Sequence, residues 1–178
     1  MRKKGAAITA EYPDLDMLIA NMFETMYGAH GVGLAAPQIG LSIRLFVIDA
    51  TSFAEDEPQL KDFKKVFINA EILEESGDKW TFNEGCLSIP DIREDIDRKK
   101  DIRISYVDEN WKQHEECFSG LAARIIQHEY DHIEGKLFVD KLSPLRKAML
   151  NNRLISISKG IVKVDYKMKF PAVKKGRR

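Results

Sequence analysis

The chain has 178 residues, 44% of them hydrophobic and 31% charged, a composition that supports one packed domain and excludes disorder. Lys plus Arg and Asp plus Glu both total 28, so no net charge steers the molecule toward nucleic acid or an anionic membrane. No apolar run approaches a membrane span, the N-terminal residues lack a signal-peptide core, and the two cysteines, Cys86 and Cys117, point to reduced thiols in the cytoplasm.

From Asp14 to Tyr27 the residues Leu15, Leu18, Ile19, Met22 and Met26 recur at helical spacing, with Asp14 as N-cap and Gly28 as stop, which predicts a helix with an ordinary packed face. GVGLAAPQIG (31–40) reads as a loop or irregular strand, IRLFVID (43–49) as a buried strand and TSFAEDEPQL as an acidic surface loop. KVFINAEILEE and KWTFNEG flank the turn signal Ser76-Gly77-Asp78 and predict a hairpin leading into CLSIP; DIRISYVD and KQHEECF predict a second around Glu109-Asn110. Ser119 can cap a helix that runs to Glu134 and is closed by Gly135, and Ser143-Pro144 opens another that ends near Gly160. This order predicts an α+β fold in which antiparallel β-sheets pack around a central helix, the one that carries HExxH.

Within that helix QHEYDH (127–132) sets His128 and His132 one turn apart, on the stripe that also carries Leu121 and Ile125, with Glu129 beside them. Two imidazoles so spaced can bind one ion, and the glutamate is free to take a proton from the attacking water. With four histidines and 14 glutamates in the chain, HExxH arises by chance about seven times in a thousand, so a metal site is favoured over polar residues on a half-buried helix. A third protein ligand is needed. Phe138 stands where H-x-x-G-x-x-H spacing would place histidine, and Glu134 and Asp140 are poor substitutes, which leaves cysteine. Spacing does not choose between the two. Cys86 is favoured because it follows Gly85 at a tight junction where backbone can approach an ion, whereas Cys117 sits in a strand as a small hydrophobe. His30 and His114 read as incidental.

GVGLAAPQIG (31–40), EGCLS (84–88) and QHEYDH (127–132), in this order, resemble the three signature motifs of the peptide deformylases. The resemblance extends from the region of Asp14 to that of Gly160. It implies a hydrolase that removes the formyl group from N-formylmethionine at the start of nascent polypeptides and releases formate. It implies Cys86, His128 and His132 as ligands of one divalent ion, Fe(II) first, with Zn, Ni or Co as substitutes. Glu129 would then accept and return the proton, while the Gln38 side-chain amide and the Leu87 backbone N–H stabilise the oxyanion. The resemblance further implies that Val32, Gly33 and Gly85 offer backbone groups to an extended peptide, that Val32, Glu84, Leu121 and Ile125 line the methionine pocket, and that Arg93 contacts the peptide beyond it.

Family members open with an extra strand and a Pro-x-Leu-Arg segment, inside which MRKKGAAITAE starts, so an absent first strand is expected. IVKVDYKMKFPAVKKGRR carries seven Lys or Arg against one Asp. Residues 1–160 are therefore expected to form the catalytic domain and 161–178 a basic extension, either solvated or, as in some family members, in contact with the ribosome. An HExxH endopeptidase is disfavoured by Phe138, and a silent binding protein by the intact set Gln38, Cys86, His128, Glu129 and His132.

Overall fold

Two long runs of alternating and β-branched residues pair with each other and organise the chain. They are β3 (Lys64–Cys86) and β4 (Ile89–Val107), neighbours in one antiparallel sheet whose other strands are β1 (Gly33–Ala35), β2 (Leu45–Asp49) and β5 (Gln113–Ser119). The strand order is β1-β2-β3-β4-β5, which leaves β1 and β5 as edges. Three helices, α1 (Leu15–Gly28), α2 (Gly120–Ile133) and α3 (Pro144–Ser158), complete an α+β fold in a computed structural model that describes residues 1–170.

Helix α2 shares a core with the sheet in which Phe46, Phe67, Ile104 and Tyr106 meet Ala123, Ile126 and Ile133. Phe67 is its aromatic hinge, stacked on Phe46 at 4.7 Å between centroids and tilted against Tyr106 at 4.4 Å. The predicted apolar face of α1 packs as expected, with Leu15, Ile19, Met22 and Met26 buried against Leu34, Leu45 and Val47. Leu150 of α3 closes a third cluster on Ile89, Ile92 and Ile96 of β4.

Ser76-Gly77-Asp78 is not the hairpin turn that the sequence predicts. β3 runs through it: Ser76 pairs with Asp101 and Lys79 with Lys99, so β3 carries one extra residue there, and Gly77 takes the left-handed conformation, φ 73°. A left-handed glycine serves a bulge as readily as a turn, and the partner strand decides which. The turn that joins β3 to β4 is Leu87-Ser88, inside CLSIP. The second predicted hairpin is present, with Val107 opposite Gln113.

Asp14 precedes α1 without capping it, because at φ 52° its side chain bonds no helix N–H. TSFAEDEPQL contains two 3-10 turns, Thr51–Phe53 and Pro58–Leu60, and Leu60 is buried. Near the start of the chain Ala6 makes an isolated parallel bridge to Ile43. No helix of the described residues is long and apolar enough to cross a membrane. The tail at 171–178, with the contact expected of it, lies outside the described residues.

Because Phe67 touches three aromatic neighbours and is fully buried, Phe67→Ala is expected to lower unfolding stability by about 3–5 kcal/mol, read by denaturant titration. A loss below about 1 kcal/mol would show that the sheet and α2 do not depend on this contact.

Candidate metal centre

The end of β3 and one face of α2 meet at three side chains. Cys86 is the last residue of β3, and the tight turn after it begins where the register shifts: Gly85 pairs with Arg93 but Cys86 with Ile89, so residues 90–92 bulge from β4. His128 and His132 project from α2 with ring centroids 5.1 Å apart. The Cys86 Sγ lies 3.3 Å from His132 Nε2, and one ligand atom from each of the three residues falls within 4.8 Å of the others. Among the described residues this is the one such cluster of three, and Cys117 is exposed elsewhere.

The charges around the cluster are tuned from two sides. Burial alone would push the Cys86 thiol up, but His132 and His128 outweigh it and hold the thiol well below its ordinary range. Burial opposes charge on His128 too, yet bonds to Cys86 and Glu84 raise it to about 10. A thiolate facing imidazoles is the charge arrangement that a divalent cation can replace, and thiolate with two imidazoles is a donor set for zinc and related transition metals. Two buried polar atoms beside the cluster, Glu129 Oε2 and His132 Nδ1, have no hydrogen-bond partner in the protein. The residues present fit a metal ion.

Glu129 is fully enclosed, and burial is the main influence that lifts its carboxyl above the usual range, against the pull of His128 and His132. It is pressed against β1: a Cβ on Gly33 would lie 2.8 Å from the Glu129 Cγ. Only a residue without a side chain allows β1 to come this close. Gln38 reaches the cluster from the 3-10 turn after β1. Its Oε1 accepts from the Ala35 N–H at 2.7 Å, which turns Nε2 toward Cys86 Sγ, 3.8 Å away, and the Ser88 hydroxyl, 3.2 Å away.

Glu84 lies at the junction of β3, β4 and α2. It is 4% exposed, and its carboxylate accepts from His128 Nδ1 at 3.0 Å, from Arg98 at 2.7 and 3.0 Å, and from Arg124 at 2.8 Å. With both oxygens engaged, the carboxylate fixes the orientation of the His128 ring. Burial would raise its pKa, but His128 and Arg98 drive it well below the carboxylate range. Arg98 also donates to Asp131 at 2.7 Å, so two arginines and two carboxylates balance in the interior.

Val32 and Leu121 are half-buried and pack together with buried Ile125, while Arg93 is tied to Asn83 through its side-chain oxygen at 2.9 Å and its carbonyl at 2.6 Å. The rejected ligands have other partners: Glu134 pairs with Arg44 and Lys4, Asp140 with Arg2, and His114 with Asp108.

The family model described as polypeptide deformylase matches residues 1–148. The chain belongs to the polypeptide deformylase family. Members of this family are metal-dependent hydrolases that remove N-formyl groups from nascent peptides, and this chain is such an enzyme. It is 56% identical to a peptide deformylase of Christiangramia forsetii, over 99% of this chain and 94% of that one, and 56% identical with the same coverage to one of Flavobacterium johnsoniae. Among solved deformylase structures, one from Legionella pneumophila is 40% identical with a TM-score of 0.77, covering 90% of each chain. One from Plasmodium falciparum is 34% identical with a TM-score of 0.78, covering 89% of this chain and 90% of that chain.

Sequence reasoning missed Arg98, Arg124 and Asp131. Two signals for them were present. Arg98 follows Ile92 and Ile96 in the same period-2 phase of β4, and Arg124 stands four residues before His128 on the same face of α2. A charged residue in an apolar phase marks a buried pair.

Two outcomes test this geometry. Glu84→Gln is expected to weaken metal binding by about 10–100-fold in a chelator competition, through loss of the charge that holds His128; undiminished affinity would mean that packing alone orients the ring. Gly33→Ala is expected to displace Glu129 and cut turnover at least about tenfold while the protein keeps its metal; full activity would mean that β1 yields without cost.

Proposed function

We propose that this deformylase binds its ion through Cys86, His128 and His132 and moves the reaction's proton through Glu129. The observation that carries the reading is the convergence of three ligand atoms within 4.8 Å beside a buried, unpartnered Glu129 Oε2. When bound, a divalent ion supplies Lewis acidity, lowering the pKa of a water and polarising the formyl carbonyl. Glu129 accepts the proton of the attacking water and returns it to the departing amine. The oxyanion meets two donors set in advance: the Gln38 amide, whose Oε1 is anchored on Ala35, and the Leu87 N–H, which a two-residue turn leaves outside the strand ladder.

The substrate is an N-formylmethionyl nascent peptide. β1 supports its docking, because β1 pairs only with β2 and so presents a free sheet edge at Gly33, to which an extended peptide can add as a further strand. Val32, Leu121 and Ile125 form the apolar wall for the methionine side chain, with Gly85 and Arg93 on the opposite bank. Glu84 backs that wall, its carboxylate held by Arg98, Arg124 and His128. Fe(II) is the ion proposed, in keeping with a mixed thiolate and imidazole set that also admits Zn, Ni or Co. Residues 1–160 are read as the catalytic unit, with α2 at its centre, and 161–178 as a basic extension suited to ribosomal RNA. Such a substrate places the enzyme in the cytoplasm.

Anaerobic purification with metal analysis, together with formate release from formyl-Met-Ala, tests the assignment. Glu129→Ala is expected to retain one ion per chain and to lose about 10²–10⁴ in turnover. Equal rates for variant and wild type would remove Glu129 from its role.

A further inference from the structure

The segment that follows α3 returns to the metal centre. Gly160, at φ 75°, turns the chain away from the helix, and Phe170 comes back over it, so that a Cβ on Gly160 would lie 3.0 Å from the Phe170 ring. Between these ends, Val162, Val164, Tyr166 and Met168 are half-buried while Ile161, Lys163, Asp165, Lys167 and Lys169 are exposed. That alternation is the signature of an extended segment lying with one face on the protein. Yet none of residues 162–170 makes a backbone–backbone hydrogen bond among the described residues, so side chains hold this closed loop in place.

Among the described residues its one side-chain hydrogen bond falls on the turn after Cys86. The Tyr166 hydroxyl donates to the Leu87 carbonyl at 2.7 Å, and the adjacent Asp165 faces His30, 3.8 Å away, at the entrance to the segment that becomes β1. Leu87 and Ser88 are the two residues of the turn between β3 and β4. The peptide between them is the central unit of a tight turn, and no ladder hydrogen bond holds its carbonyl or its N–H. Such a peptide can rotate at little cost unless something outside the turn fixes it. Ser88, on its far side, receives the Gln38 amide at 3.2 Å, and the Leu87 side chain sits where a Cβ on Gly31 would touch it.

We propose that Tyr166 is a positioning residue for formyl hydrolysis: by holding the Leu87 carbonyl it fixes the Leu87–Ser88 peptide, and through the shared Leu87 Cα and the Ser88 hydroxyl it steadies the preceding Leu87 N–H and Gln38 Nε2 in their aim at the oxyanion. This rests on the reading of those two groups as oxyanion donors. Tyr166 lies beyond the residues that the family model matches, so the contact is added to the catalytic core by the C-terminal loop. The ring keeps its packed place when only the hydroxyl is removed, which makes Tyr166→Phe the informative change.

In the metal-loaded full chain, Tyr166→Phe is expected to lower kcat on formyl-Met-Ala about five- to tenfold, the effect of one hydrogen bond, with KM within about twofold and with metal content and unfolding midpoint unchanged. A residue that merely stabilised the fold would shift the midpoint and leave kcat per folded, metal-loaded enzyme intact. Ser88→Ala provides a second arm. If Tyr166 acts through the turn, the double variant is no slower than about twofold below the worse single one, whereas independent roles would multiply. Unchanged kcat in Tyr166→Phe, or fully multiplicative losses, overturns the proposal. Gln38→Ala separates the two levels: if it is slow while Tyr166→Phe is not, only the positioning role fails; if Gln38→Ala turns over normally, the oxyanion reading beneath it fails.

Discussion

One buried carboxylate ties the catalytic parts to the scaffold. Glu84 belongs to β3, Arg98 to β4, and Arg124 and His128 to α2, and all four side chains meet in the interior. Charges so far from water are tolerated only when each has a partner in good geometry, since a single unpaired member would cost several kcal/mol. The network therefore admits one placement of α2 against the hairpin. The imidazole of His128 inherits that placement through its Nδ1, and the face it turns toward Cys86 is decided before any ion arrives.

Around that fixed point the remaining groups are brought in by close backbone approach. β1 comes near enough to Glu129 that Gly33 has no room for a side chain, which also keeps water from the carboxyl and raises its proton affinity. The turn after Cys86 places Leu87 and Ser88 between Gln38 on one side and the C-terminal loop on the other. Sheet edge, helix and turn thus converge from three parts of the chain, and the proposed chemistry draws on all three. The free edge of β1 lies beside the candidate ion site, so that one short edge strand stands next to both Glu129 and the surface proposed to dock the substrate.

Much of the site could be read from residue order because its chemistry is local. His128 and His132 share a helical face by spacing alone, Glu129 follows from adjacency, and Gln38 and Cys86 lie within short motifs. Helices α1 and α2 were legible from apolar periodicity, α3 from Ser143-Pro144 at its start, and all three from Gly28, Gly135 and Gly160 at or beyond their ends. The error at Gly77 has the same origin as the correct reading of the helices. A left-handed glycine is a local signal, but whether the chain reverses or bulges there depends on whether a strand runs alongside, and β4 is encoded elsewhere.

The sequence by itself pointed to a metal-binding cluster, to a candidate base beside it and to the α+β class, because each follows from residue types at helical or strand spacing. Tertiary structure decided which cysteine joins the histidines, that Glu84 holds the His128 ring, and that Tyr166 reaches the turn after Cys86 from 79 residues away. Those outcomes depend on distances between segments remote in the chain, and such distances are set by how the hairpin, α2 and the returning C-terminal loop pack together.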